Sequence, residues 1–362
     1  MVQKVMNLVE TRPLSSAHLC IIVQRKNFLK MEKALHTMAP TMTPTMVPNN
    51  AHKEIPGNPS TATSSKIRLR TSLDDGRPLR VLSEADWQFW VENGYVIIKN
   101  AVPREQALRT AQFLWEFEEK DPADPETWYT PPRAEMKMKE LTNTGMVEVY
   151  NHQHLWNNRQ VQRLYDAFVD IWGTEKLWVT IDRANLNFPL RPGFEYKGFI
   201  HWDYDPETRP QNVQGVLALA DQMDEGMGGF QCIPELFRTY DTWKLTQPED
   251  RDRFKPDTSG FEGKFVKVKM EAGDLLIFNS CQPHGIRANN SKDKVRQAQY
   301  ISMMPAEEDN TDLREWRINS WKNRIAPEGY AFPGDPRNWE QTRYETAVLN
   351  DLGERLLGLK NW

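Results

Sequence analysis

Three spacings of apolar residues follow one another along the chain. Up to about residue 66 they show no period, and His36–Pro48 carries a proline at every fourth place: Pro40, Pro44 and Pro48. Such a run breaks a helix and has no place in a central strand. The Pro, Ser, Thr and Asn that follow bury too little apolar surface to offset the entropy of ordering. Residues 1–66 are therefore expected to form a disordered low-complexity tail, and 67–362 the folded domain. From Leu82 the spacing becomes helical. Ser83-Glu-Ala-Asp86 reads as a capping box that opens a helix carrying Trp87, Phe89, Trp90 and Val91, with Asn93-Gly94 as its stop. Tyr95–Ile98 reads as a short strand. Pro103 starts a second helix, with Ala107, Leu108, Ala111, Phe113, Leu114 and Trp115 as its apolar face. A Pro-rich loop covers 121–133, and a third helix runs from about Arg159 to Trp172, stopped by Gly173.

Beyond Lys176 the apolar runs shorten. Leu177–Ile181, Ala184–Phe188, Val213–Ala220, Phe265–Met270, Asp274–Phe278 and Gln297–Met303 read as strands. Pro192-Gly193, Gly226, Gly228-Gly229 and Gly273 are read as the turns between them. Short strands punctuated in this way suggest a sandwich or barrel. Residues 312–362 return to helical spacing, so the fold class is mainly β with flanking helices.

Composition narrows the function classes. Of 362 residues, 39% are hydrophobic and 27% charged, which is ordinary for a soluble globular protein. A net charge of -4 is too small to point to nucleic acid or to an anionic membrane, and no apolar run is long enough to span a bilayer. Three cysteines (Cys20, Cys232 and Cys281) do not make a disulfide framework, so a reducing, cytoplasmic compartment is expected. Residues 1–35 have a faint organelle-transit character. An untargeted tail, or a start site placed too far upstream, is the preferred reading.

The chemistry-bearing residues lie among the strands. His201-Trp-Asp203 places an imidazole and a carboxylate on one side of a strand end, and His284, after Gly273-Asp-Leu-Leu-Ile-Phe278, supplies a third donor. Two histidines and one carboxylate on one face of a metal leave adjacent positions open, which suits iron(II) that must take both a co-substrate and O2. The usual electron source is 2-oxoglutarate. Its far carboxylate calls for an arginine in a dry pocket, and Arg296, twelve residues past His284, begins the next strand. The segment 288–294 is read as the turn between them. Asn185 and Asn187 share a strand face and are candidates for the keto-acid end, or simply a polar face of the sheet. Competing readings are His152-x-His154 as a metal pair, and Arg287, read as lying in the turn beside His284, in the place of Arg296.

From Leu82 onward the chain resembles the phytanoyl-CoA dioxygenase family of iron(II)/2-oxoglutarate oxygenases. The resemblance rests on Trp87-x-Phe-Trp-Val-Glu-Asn-Gly-Tyr-Val-Ile-Ile98, His201-Trp-Asp203, Ala218-Leu-Ala-Asp221, Gly228-Gly229, Gly273–Phe278, and His284 with Asn289-x-Ser291 and Arg296. It implies a double-stranded β-helix (jelly roll, cupin-like) core, with His201, Asp203 and His284 on iron and Arg296 on 2-oxoglutarate. The chain departs from the family at Ile233–Phe237, where Pro-Gly-Ser-His is common, and at Val216, where Trp is common. Halogenating relatives lack the carboxylate, so Asp203 implies hydroxylation or a related oxidation. The rivals are a metal- or ligand-binding protein on the same fold and a cupin-type enzyme that needs no 2-oxoglutarate. Residues 121–145 and 204–212 are candidate lids, and Trp202, Tyr204 and Met223 candidate pocket walls.

Overall fold

Local signals start the first elements where they were expected. In the computed structural model, which describes residues 64–129, 145–327 and 334–362, Ser83 and Asp86 complete the capping box of helix α1 (Glu84–Asn93). Gly94 ends that helix in the left-handed region, at φ 70°. Trp87 and Trp90 face inward, while Phe89 and Val91 are exposed, Phe89 lying edge-on to Tyr95. Strand β1 (Tyr95–Ile98) and helix α2 (Arg104–Phe117) follow, the latter capped by Pro103. Leu108, expected on the apolar face of α2, is exposed instead. A one-turn helix α3 (Pro125–Trp128) interrupts the Pro-rich loop. Most of the 1–66 tail (1–63) and residues 130–144 of the first candidate lid lie outside the described residues.

After β2 (Met146–Val147), a helix that was not expected, α4 (Gln153–Arg159), precedes α5 (Gln162–Trp172), the third predicted helix. The break falls at Val161, a β-branched residue held extended at ψ 125°. Strands β3 (Leu177–Val179), β4 (Ala184–Asn187), β5 (Val213–Ala218) and β6 (Met227–Cys232) come next. They are followed by α6 (Pro234–Trp243), then β7 (Val266–Lys267), β8 (Leu275–Asn279), β9 (His284–Asn289), β10 (Arg296–Tyr300) and β11 (Met303–Pro305). Helices α7 (Thr311–Asn323), α8 (Trp339–Arg343) and α9 (Asp351–Leu357) complete the chain. Helix and sheet are both substantial, so a mainly β description fits the core alone. No helix among the described residues is long and apolar enough to cross a membrane.

Six strands make one antiparallel sheet in the order β1-β8-β5-β10-β4-β2, and β7-β6-β9 make a second. Alternation along β5 and β8 sends Leu217, Leu275 and Ile277 toward Ala111, Leu114, Leu164 and Phe168 of the helices. It sends Val216, Ala218, Leu276 and Phe278 the other way, onto Phe230 and Cys232 of the second sheet. Each of these fully buried large side chains contributes about 1.5–3 kcal/mol to the core. The inner face left between the two sheets carries the polar residues that matter below.

Candidate functional site

Gly228-Gly229 is not a turn. Both glycines lie inside β6 with φ of 80° and 101°, a left-handed backbone that a side chain would strain. Likewise, His284 does not trail a strand but begins β9, and 288–289 belong to that strand instead of to the turn. His201 is in no continuous strand. It pairs with His284 through an isolated antiparallel bridge, His201 N–H donating to His284 O at 2.8 Å and His284 N–H to His201 O at 3.0 Å.

That bridge sets the two imidazoles side by side, their ring centres 4.6 Å apart. Asp203, in the bend just after, closes the group. Its Oδ1 lies 3.0 Å from His201 Nε2 and its Oδ2 3.4 Å from His284 Nε2. One donor atom from each of the three residues falls within 4.8 Å of the others. His284 is buried against the rings of Phe230 and Phe278, and its Nδ1 is 2.9 Å from Gln282 O. Donating Nδ1–H to that carbonyl leaves the Nε2 lone pair facing Asp203. Gln214, on the inner face of β5, donates to Asp203 Oδ2. Sequence reasoning missed Gln214. The clue was its place two residues before Val216 on the face that turns inward.

Burial lowers the His284 pKa to about 4, only partly offset by Asp203. Burial also resists ionisation of Asp203, but the His201 and His284 imidazoles and the Gln214 amide outweigh it and hold the carboxyl well below its usual range. Both groups are thus in the form that binds a cation at neutral pH: a neutral imidazole and a carboxylate. His201 and Asp203 remain partly exposed, so the cluster is open on one side.

Arg296 is 1% exposed and sits opposite Asn187 in the β10–β4 register. It donates from Nε to Gln222 Oε1 at 3.2 Å and from Nη1 to Asn185 Oδ1 at 3.0 Å. Its Nη2 is buried with no partner, as is Asn187 Oδ1. A buried guanidinium nitrogen left unpaired is a costly arrangement, and an anion would relieve it. Arg287, read from sequence as a turn residue, is a buried strand residue of β9. Of the candidate walls, Trp202 is buried against Tyr240 and Trp243 and bonds Cys281 O, so it is packing; Met223 is exposed. Tyr204 accepts from Asn212 through its hydroxyl, in the second candidate lid.

The His152-x-His154 pair serves the fold. His152 stacks on Phe113 at 3.7 Å and its Nδ1 accepts the His154 backbone N–H as the cap of α4. Burial, then His154, lowers its pKa from 6.5 to about 3. A depressed folded value means that its share of the stability is present above pH 6.5 and is lost as pH falls toward 3, on the order of 1 kcal/mol per unit. His152→Asn, which keeps a cap acceptor without the titration, is expected to flatten the acid limb of the curve of Tm against pH. An unchanged limb would contradict that assignment.

With this geometry in place, the chain can be set against known proteins. The model of the phytanoyl-CoA dioxygenase (PhyH) family matches residues 90–298. The chain is 26% identical over 270 residues to the Ava biosynthesis cluster protein O of Aspergillus versicolor, a match spanning 68% of this chain and 84% of that protein. A hypothetical protein of Escherichia coli superposes with a TM-score of 0.55 at 19% identity, covering 76% of this chain and 82% of its own. The GlcNAc-inducible gene 2 protein of Candida albicans does so with 0.52 at 14% identity, covering 78% and 77%. These structural likenesses show a shared fold.

Proposed function

The chain belongs to the phytanoyl-CoA dioxygenase family, and we propose that it is an iron(II)- and 2-oxoglutarate-dependent dioxygenase that hydroxylates or otherwise oxidises a small organic substrate. We read the two packed sheets as a double-stranded β-helix and assign the activity to residues 67–362, in the cytoplasm, with 1–66 as an accessory tail. The observation that carries the reading is the His201, Asp203 and His284 donor set, gathered within 4.8 Å in the same two-sheet core that buries Arg296.

The residues fit the groups they would hold. Two imidazole nitrogens and one carboxylate oxygen suit iron(II) and leave positions for further ligands. Arg296 Nη2 is the donor for the far carboxylate of 2-oxoglutarate, and Asn187, its cross-strand partner, is a candidate contact for the keto-acid end. When bound, the iron supplies O2 activation, with 2-oxoglutarate giving the electrons and leaving as succinate and CO2. The protein's part is to hold His284 in one tautomer through Gln282, to hold Asp203 through Gln214, and to seal one side of the site with Phe230 and Phe278. The likeness to a biosynthesis cluster protein supports a small metabolite as substrate.

The test is anaerobic titration of iron(II)-loaded protein with 2-oxoglutarate, following the weak visible metal-to-ligand charge-transfer band. The band is expected in the wild type and absent in His201→Ala. In Arg296→Met it should need at least ~30-fold more 2-oxoglutarate, the cost of stripping a buried charge of its partner. A folded, iron-loaded wild type with no band would overturn the reading and favour a binding protein, or a metal enzyme that uses no oxo acid.

A further inference from the structure

Arg296 is not the only buried cation on its side of the core. Arg287, on β9, is 6% exposed and donates from Nη1 to Phe230 O at 2.8 Å and from Nη2 to Gly228 O. Its Nε is buried and has no partner. Every recorded partner of the two guanidiniums is a neutral oxygen: two carbonyls for Arg287, and the amides of Gln222 and Asn185 for Arg296. Among the described residues no carboxylate pairs with either. Glu225, the acid that acts on Arg287, is itself taken up by Lys267 and Lys269.

The two cations converge on the bare backbone of the glycine pair. A Cβ on Gly229 would lie 3.2 Å from Arg287 Nη2 and 3.6 Å from Gln222 Oε1, the same oxygen that accepts from Arg296 Nε. A Cβ on Gly228 would lie 3.3 Å from the unpartnered Asn187 Oδ1. The glycines therefore form a floor without side chains, ringed by Arg287, Gln222, Arg296 and Asn187. Burial, together with Arg296, pushes the Arg287 guanidinium below its ordinary pKa. Two like charges held together in a dry place cost free energy until an anion joins them.

We propose that Arg287 is a second cationic residue of the co-substrate pocket, and that the Arg287–Arg296 pair makes the site select a dianionic 2-oxo acid over a monoanionic one. The inference rests on the function proposed above. One guanidinium suffices to place a carboxylate through its fork. A second, fixed to β6 carbonyls, adds a field that acts most on the far charge of the ligand, the near carboxylate being common to both kinds of acid. The neutral part of the oxo acid gains nothing from it. Removing Arg287 should therefore weaken 2-oxoglutarate and largely spare its monoanionic analogue, whereas damage to packing alone would weaken both.

The experiment compares 2-oxoglutarate with 2-oxopentanoate, which has the same carbon chain and lacks the far carboxylate. Both are titrated anaerobically into the iron(II)-loaded full chain, reading dissociation constants from the charge-transfer band. The wild type should prefer 2-oxoglutarate by ~100-fold or more. In Arg287→Gln that preference should fall at least tenfold, with 2-oxopentanoate binding changed less than twofold. Arg287→Lys keeps a cation near the Gly228 and Phe230 carbonyls and should recover part of it; this variant decides the matter where the glutamine variant does not load iron. Equal weakening of both oxo acids in the lysine variant, or an unaltered preference in the glutamine variant, overturns the role of Arg287 and leaves the oxygenase reading standing. A wild type that binds neither oxo acid overturns both.

Discussion

Asp203→Ala is expected to lower iron(II) affinity and substrate oxidation each by more than ~100-fold. Loss of a mere outer partner of a metal ligand costs about 10–100-fold, and Asp203 stands in the donor set itself. It is the one anion between two imidazoles, contacting His201 Nε2 through Oδ1 and His284 Nε2 through Oδ2, with Gln214 donating to Oδ2. Without it, two imidazoles would have to hold a dication with no anion beside them. The fold should not suffer. Asp203 is partly exposed, and its side-chain contacts are confined to this cluster, away from the apolar core packed beneath the helices. Colorimetric iron content and a succinate assay, with circular dichroism as the check on folding, measure the effect. A variant that kept iron and kept oxidising substrate would remove Asp203 from the metal and with it the proposed reaction.

The parts of this fold that were legible in the sequence are those where local preference and global need agree. Leu275–Phe278 is an unbroken apolar run because β8 is buried on both faces, by helices on one and by Phe230 on the other. Ser83 and Asp86 announce α1 because a capping box is complete within four residues. Besides the edge strand β2, the strands that were missed, β6 and β9, build the site. Met227-Gly-Gly-Phe-Gln-Cys232 reads as a turn, since two glycines weaken a strand, yet the bare backbone is what brings Arg287 and Asn187 close. His284-Gly-Ile-Arg-Ala-Asn289 shows no alternation, because a donor and a cation occupy positions that apolar residues would otherwise fill. Helix α6 was passed over although Pro234 stands in its first turn, a good start signal. The three candidate donors that the structure brings together, His201, Asp203 and His284, were readable from residue type and spacing. Gln214 and Gln222 were not, because their amides meet Asp203 and Arg296 only once the chain is folded.

Gly285→Ala should separate the two histidines by steric force alone. A Cβ at Gly285 would lie 1.7 Å from Phe199 O and 2.8 Å from its carbonyl carbon. Neither atom belongs to a side chain that can swing away, so the backbone at 199–201 must retreat by an ångström or more. That backbone carries His201, which is tied to His284 by the 2.8 and 3.0 Å bridge. Overpacking of this kind costs about 1–3 kcal/mol, commonly more when backbone meets backbone, so Tm should fall by several degrees. The larger effect falls on function. An ångström of displacement is enough to spoil a donor set, so iron(II) affinity should drop by ~100-fold or more. The helix-packed core lies on the other face of the large sheet and should keep the chain folded, which makes the variant measurable. Wild-type iron affinity in Gly285→Ala would show that the close approach of Phe199 to β9 does not set the spacing of the histidines. A lost charge-transfer band in a folded protein would show that this spacing depends on one missing side chain next to His284.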